Sequence, residues 1–246
     1  MLPGSTLEIC VDSFELAKAA ARGGADRIEL CGHLRDGGIT PSAGLMRAVR
    51  KAIDIPVATL VRPRSGTFEA TPDEFEIMRQ EILCARESDI NIVVLGILRA
   101  DKTVDVERVR SLVELARPMQ VTFHRAFDAC TDPERALEDV LSTGSDRILT
   151  SGACSSAVAG ATHVDHLRMA AKGRIGLILC GGISTATIRK AIMKSGVREV
   201  HASLRGSMHS RTGTGANHPL ALENFVDIVR DMKRLMDRTL ALEPNL

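Results

Sequence analysis

Short apolar runs of β-strand type alternate with amphipathic segments along the whole chain, and this alternation restricts the possible folds more than any other feature. Eight strands are predicted, at residues 7–10, 27–31, 57–62, 91–96, 120–124, 147–150, 175–180 and 198–203. Helices are predicted at about 13–22, 42–52, 72–87, 104–116, 132–142, 163–171, 184–194 and 221–238. Most of the runs are continuously apolar, as expected of parallel strands that are buried on both faces. Eight such units in 246 residues predict an α/β chain with a single-domain (β/α)8 TIM barrel.

Helix-capping residues and a short repeat support this organisation. Residues that favour helix starts or ends lie at predicted boundaries: Ser13, Ser42, Thr71 with Glu74, Asp132, Gly23, Gly144 and Gly196. Residues 24–30 are echoed by 144–150, four units later, either as a half-barrel repeat or as shared chemistry of a helix end that leads into a strand. Since no linker or break in composition is found, residues 1–246 are expected to form one domain. Residues 205–219 form an irregular stretch after the eighth strand, and loops of this length are usually functional or disordered.

Composition excludes several classes of function. The formal net charge is only +1, and the aromatic residues are six Phe with no Trp or Tyr, so neither a nucleic-acid surface nor a base-stacking platform is expected. The apolar runs are about half the roughly 20 residues that a membrane span requires. Six scattered cysteines form no C-x-x-C pair and are expected to be reduced thiols in a cytosolic protein.

Polar side chains stand at the carboxyl ends of the predicted strands, where TIM barrels build their active sites. Glu8 and Cys10 share one face of the first strand, and Glu29 and Cys31 share one face of the second. These faces can bring a carboxylate pair and a thiol pair together in successive layers. The carboxylates are candidate catalytic groups, although they can also be ion pairs that fill the barrel interior.

Other residues at this end predict an anion site. His124 and Asp128 are candidate acid/base groups. His124 is expected to titrate near neutrality. Asp128 can alternatively cap the helix that follows. Arginine binds carboxylate or phosphate in a planar fork, and backbone amides of a glycine turn can also hold a phosphate. The candidate ligand-binding residues are Arg62, Arg64, Arg125, Ser151, Gly181, Gly182, His201 and Ser203.

The cysteines fall into two groups. Cys10 and Cys31 are expected to be neighbours on adjacent strands, and two thiolates suit a soft ion such as Cu(I). Zn(II) is expected to compete poorly at a site that offers only two sulfurs, because zinc prefers four ligands. Cys84, Cys154 and Cys180 are interpreted as small buried hydrophobes, and His163 with His166 as part of an exposed helical face.

Several motifs together resemble the CutC family of copper homeostasis proteins. They are Leu7-Glu8-Ile9-Cys10, residues 25–31, Gly37-Gly38-Ile39-Thr40-Pro41-Ser42, Arg62-Pro63-Arg64, residues 122–128 and Leu149-Thr150-Ser151-Gly152. The resemblance implies a TIM barrel, a cytosolic location, a homo-oligomer and a link to copper, with Cys10 and Cys31 as the suggested Cu(I) ligands. The chain departs from the family pattern at Ser65-Gly66-Thr67, where two glycines and an aspartate are usual, and at residues 94–96 and 201–203.

Two functions are therefore open. The first is a cytosolic copper homeostasis protein that binds Cu(I) through Cys10 and Cys31. The second is an enzyme that acts on a small anionic or phosphorylated substrate, with the arginines holding the anion and Glu8, Glu29, His124 or Asp128 transferring protons. Copper ion or a small anion is the expected partner; nucleic acid and membrane are not.

Overall fold

The computed structural model describes residues 5–204 and 219–242, and within them eight parallel strands close into one barrel in chain order. The strands are β1 (Thr6–Val11), β2 (Arg27–Leu30), β3 (Val57–Leu60), β4 (Ile92–Leu95), β5 (Gln120–Phe123), β6 (Arg147–Thr150), β7 (Gly176–Leu179) and β8 (Glu199–Ala202). The helices are α1 (Phe14–Gly23), α2 (Ala43–Ala52), α3 (Pro72–Glu87), α4 (Val106–Ala116), α5 (Pro133–Thr143), α6 (Ala157–Ala171), α7 (Ile188–Ser195) and α8 (Pro219–Leu242). The predicted (β/α)8 barrel is confirmed.

Side-chain caps fix where the helices begin. Ser13, Ser42 and Asp132 each accept a hydrogen bond from a backbone amide in the first turn that follows. Thr71 and Glu74 form a capping box in which each side chain bonds the other residue's amide. These starts were readable from the sequence because capping depends on a few neighbouring residues.

Some predicted boundaries are wrong. Helix α6 begins at Ala157, six residues before the predicted start at 163, because its first turns carry small residues that pack closely and give no amphipathic pattern. Helix α8 extends beyond the predicted 221–238 at both ends. Most strands end one or two residues before the predicted boundary. The predicted irregular stretch falls almost entirely on residues 205–218, outside the described residues.

Two kinds of core fill the molecule. The larger one lies between the outer faces of the strands and the surrounding helices, and it includes Leu7, Ile9, Ile28 and Phe123, each fully buried. A smaller cluster from β1–β4 and the residue after β2 consists of Cys10, Cys31, Ala58, Leu60, Ile92 and Val94. Charged side chains also point inward from β1, β2 and β8, so the interior is only partly apolar. Among the described residues, no helix is long and apolar enough to cross a membrane.

The repeated segments have the same structural role. Asp26 Oδ2 accepts a hydrogen bond of 2.8 Å from the amide of Leu7, and Asp146 Oδ2 accepts one of 2.7 Å from the amide of Val121. In both places a glycine with positive φ ends the preceding helix, at 92° for Gly24 and 80° for Gly144. Each aspartate thus bonds the preceding strand, β1 or β5, at the lower end of the barrel.

Candidate functional site

A cavity of about 940 Å³ opens at the carboxyl ends of the strands. Its lining combines acidic, basic and sulfur-containing side chains. They include Cys10, Glu29, Arg62, His124, Arg125 and His201. A cavity with a few convergent polar groups at this end of a TIM barrel is the expected place for a ligand.

Buried ion pairs connect β1, β2 and β8 beneath this cavity. Glu8 accepts a hydrogen bond from Arg27, and its other oxygen lies 2.7 Å from Nδ1 of His201. Arg27 also donates to Glu199 at 2.9 Å, and Arg147 lies 3.3 Å from the same carboxylate. Because each charge has an opposite partner, the network offsets the desolvation that burial costs. Glu8 is therefore held from two sides below the cavity.

The two thiols expected to be neighbours lie close together. Cys10 Sγ is 3.7 Å from Cys31 Sγ and 3.4 Å from Oε1 of Glu29. Both cysteines are buried, at 3% and 0% exposure. The strand register places Cys10 opposite Glu29 and Glu8 opposite Arg27. Strand β2 is therefore shifted by two residues from the expected register, in which Glu8 would face Glu29. The thiols still meet, diagonally across β1 and β2.

The surroundings shift the protonation of this group. Burial opposes ionisation of Glu8, but Arg27 and His201 outweigh it and lower the Glu8 pKa to about 2. Burial raises the pKa of Glu29, and the Glu8 charge adds to this effect. Hydrogen bonding to Cys31, together with burial, raises the pKa of Cys10 well above its usual value. The pKa of His201 is raised because Glu29 and Glu8 outweigh the effect of burial.

His124 is buried against aromatic and glycine neighbours. Its ring centroid is 5.0 Å from that of Phe68, and its Nδ1 accepts a hydrogen bond of 3.2 Å from the amide of Ala126. Burial, reinforced by the charge of Arg62, lowers the His124 pKa to about 3. The expectation that this ring titrates near neutrality is therefore wrong: it stays neutral at pH 7.

Arg62 and Arg64 diverge after β3. Arg62 lines the cavity, stacks over Phe68 at 5.0 Å and donates to the carbonyl oxygens of Gly38 at 3.1 Å and Gly66 at 2.8 Å. Its Nε is buried without a hydrogen-bond partner in the described part of the chain. Arg64 instead pairs with Glu74 at the start of α3 and does not line the cavity. The two arginines do not form a joint clamp.

Asp128 anchors the loop after β6. Its carboxylate accepts hydrogen bonds from the side chains of Thr150 and Ser151 and from the amides of Ser151 and Ala153. Arg125 donates to Asp128 at 3.0 Å and to the Ser151 hydroxyl at 3.2 Å, while its side chain remains 49% exposed. Helix α5 is capped by Asp132, so the alternative role of Asp128 as that cap is wrong.

The remaining predicted residues surround the cavity. Gly181, Gly182 and Ser203 line it, and both glycines have positive φ, 103° and 69°. Sequence reasoning missed two contributors, Arg27 and Cys180. Cys180 lines the cavity and burial raises its pKa, whereas it was interpreted only as a hydrophobe. The alternation of Arg27 with Glu29 and Cys31 on one strand face was the signal for Arg27.

Comparison with known proteins identifies the family. The CutC family model matches residues 5–206. The chain belongs to the CutC family. The copper homeostasis protein cutC homolog of Homo sapiens is 44% identical to this CutC family member over 207 residues, 84% of this chain and 76% of that protein. A family protein CutC of Chromobacterium violaceum is 44% identical over 242 residues, 94% of this chain and 98% of its own length.

Solved structures agree with this assignment. The copper homeostasis protein CutC from Streptococcus agalactiae superposes on this CutC chain with a TM-score of 0.76 at 28% identity, covering 80% of this chain and 97% of the other. A phosphoribosylanthranilate isomerase from Thermotoga maritima superposes with a TM-score of 0.60 at 16% identity, covering 95% of this chain and 99% of the other. The second similarity concerns the fold alone.

Proposed function

We propose that this CutC family member is a copper homeostasis protein that binds Cu(I) through the thiols of Cys10 and Cys31. The distance of 3.7 Å between their sulfurs carries the proposal, because one soft ion can contact both. The names of the relatives from Homo sapiens and Streptococcus agalactiae, which both contain the words copper homeostasis protein, support it.

Competition against a chromogenic Cu(I) chelator under reducing conditions tests this function. The wild type is expected to bind about one Cu(I) per chain, and neither Cys10→Ala nor Cys31→Ala is expected to keep that affinity, since the site depends on both sulfurs. Cys84→Ala, on the outer helix α3, is the matched control and should bind like the wild type. Unchanged affinity in the Cys10→Ala, Cys31→Ala double variant overturns the proposal.

We also propose a cytosolic location and a homo-oligomeric assembly, with no nucleic-acid or membrane partner. The free state of all six cysteines fits a reducing compartment, and the family resemblance supports self-association. Light scattering of the purified chain tests the assembly, and the mass of one chain contradicts it. Fluorescence imaging of a tagged chain tests the location, and accumulation outside the cytosol contradicts it.

A second candidate is an enzyme that acts on a small anionic substrate, and the cavity favours it. Arg62 and Arg125 both line the cavity, and one oxygen of Glu29, which also lines it, has no hydrogen-bond partner in the described residues. Of the four candidate catalytic residues, Glu8 and Asp128 are fully engaged and His124 is held neutral, which leaves Glu29.

Binding of inorganic phosphate, followed by calorimetry, tests this candidate. The wild type is expected to bind phosphate, and Arg125→Ala to bind it at least about tenfold more weakly, because a charge-assisted hydrogen bond is lost. Arg110→Ala, a substitution on the outer helix α4, is the control. Equal phosphate affinity in the wild type and Arg125→Ala contradicts the candidate.

A further inference from the structure

Three metal-binding side chains meet at the floor of the cavity, and only one of them belongs to the thiol pair. Ligand atoms of Cys10, Glu29 and His201 all lie within 4.8 Å of one another. Cys31 Sγ lies 3.7 Å from Cys10 Sγ, next to this group but outside it. The three residues come from β8, β1 and β2, which are consecutive around the barrel.

The two distances from Cys10 Sγ to its neighbours are compared with those of ligands at tetrahedral positions around one ion. Two sulfurs at about 2.3 Å from a metal are about 3.8 Å apart at the tetrahedral angle, but about 4.6 Å apart when they stand in line across it. The observed sulfur separation is 3.7 Å. A sulfur and an oxygen ligand at tetrahedral positions are about 3.5 Å apart, and Cys10 Sγ lies 3.4 Å from Glu29 Oε1. The spacing therefore suits a bent site with additional ligands better than a linear dithiolate.

His201 is oriented as metal-binding histidines usually are. Its Nδ1 lies 2.7 Å from Oε1 of Glu8, and Glu8 is itself ion-paired with Arg27. Because the ionised Glu8 carboxylate can only accept, Nδ1 carries a hydrogen, and Nε2 is the ring nitrogen that a cation would bind by displacing its proton. A carboxylate behind a histidine, fixing its tautomer and ring orientation, is the common outer partner of a metal ligand.

Glu29 provides an independent indication. Its Oε2 is buried and has no hydrogen-bond partner among residues 5–204 and 219–242. Within those residues, the nearest charged group to this oxygen is His201 Nδ1 at 3.9 Å, too far for a hydrogen bond, and a buried carboxylate oxygen without a hydrogen bond requires an explanation because its desolvation is costly. A bound cation supplies one, because it would replace the missing hydrogen bonds.

We infer that Cys10, Glu29 and His201 form a three-donor site for a divalent cation of tetrahedral preference, of the Zn(II) class, with the fourth position open to the cavity that all three residues line. The inference shares the Cys10 thiol with the proposed Cu(I) site and does not otherwise rest on that function. One thiolate, one imidazole and one carboxylate are all donors that zinc uses, and three protein ligands with one open position are typical of zinc sites that admit a water or a substrate. The expectation of weak zinc competition assumed that two sulfurs were the whole site.

Cobalt(II) spectroscopy tests the site directly, because Co(II) in a tetrahedral sulfur-containing site gives intense visible bands and a thiolate charge-transfer band. We expect the reduced full chain to bind one Co(II) with both features and to lose them on addition of one equivalent of Zn(II). A weak octahedral spectrum in the wild type, or no charge-transfer band, overturns the inference without any variant.

Variants separate this inference from the copper proposal. Glu29→Gln and His201→Gln keep both thiols, and each is expected to weaken Zn(II) binding at least about tenfold while changing Cu(I) affinity less than tenfold. Glu138→Gln and His166→Gln, at exposed ion pairs, are matched controls. Wild-type Zn(II) affinity in folded Glu29→Gln and His201→Gln overturns the three-donor site. A tetrahedral Co(II) spectrum with Cu(I) affinity that is independent of both cysteines supports the three-donor site and overturns the copper proposal alone.

Discussion

Individual side chains at the mouth of this barrel owe their chemistry to neighbours that are distant in the sequence. His124 shows this best, since its neutrality at pH 7 follows from burial against Phe68 and from the charge of Arg62. A His-Arg pair at a strand end suggests acid/base chemistry, but the pKa depends on residues that two other loops bring in. The identity of a titratable residue can be predicted locally, whereas its protonation cannot.

Acid unfolding should report the burial of His124. The ring has a pKa of about 3 in the native state and about 6.5 when unfolded, so below pH 6.5 the unfolded state binds a proton that the native state does not. Stability therefore falls as the pH decreases from about 6.5 towards 3, by up to about 1.4 kcal/mol per pH unit from this group. His124→Asn, which keeps an acceptor for the Ala126 amide, should remove that slope.

Urea unfolding at pH 7, 6 and 5 measures the difference. His166→Gln is the control, because it removes an imidazole from a side chain that is 63% exposed. The same pH dependence in His124→Asn and the wild type would show that the pKa of the ring is not lowered in the native state.

Whole helices and strands were more predictable than side-chain chemistry, because their signals are local. Caps such as Thr71 with Glu74 and the apolar runs of the strands depend on residues a few positions apart. Helix α6 was the exception, since its first turns are shaped by contact with the loop after β6. A methyl group on Gly160 would lie 1.8 Å from the carbonyl oxygen of Ser151, so the helix backbone rests directly on that loop.

Glycine substitutions should separate helix propensity from this contact. Gly160→Ala is expected to destabilise the chain by about 1–3 kcal/mol or more, because the helix must move off the loop that Asp128 anchors. Gly44→Ala, near the start of α2 with open space around it, should instead stabilise by about 0.5–1 kcal/mol. Chemical denaturation of both variants checks the contrast, and equal effects would place the two glycines in similar surroundings.

The whole barrel depends on contacts at the seam between β8, β1 and β2. The count of eight units predicted closure, and period two predicted which residues point inward. The register was not predictable, because alternation does not determine how far one strand slides along the next. The observed register of β1 and β2 places Cys10 beside Glu29, and closure of the barrel places His201 on β8 beside Glu8 on β1.

Removing the guanidinium of Arg27, which pairs with two carboxylates at the seam, should destabilise the fold. Arg27→Met preserves most of the side-chain length but leaves Glu8 and Glu199 without this partner, and we expect a loss of about 3–5 kcal/mol in the free energy of unfolding. Arg174→Met removes a surface ion pair with Glu138 and should leave stability nearly unchanged. Urea unfolding at pH 7 compares them, and similar small losses in both would mean that the seam contributes little.

The same seam determines when during synthesis a binding site can exist. His201 and Glu8 are 193 positions apart in the chain, and Arg27 and Glu199 are 172 apart. Glu8 and Arg27 are synthesised early, but their partners His201 and Glu199 are on the eighth strand. A growing chain therefore lacks these partners until that strand leaves the ribosome. Contacts of such long sequence separation form late and slowly. The nascent chain therefore carries unpaired interior charges and accessible thiols through most of its synthesis, and ion capture by the complete site has to follow barrel closure.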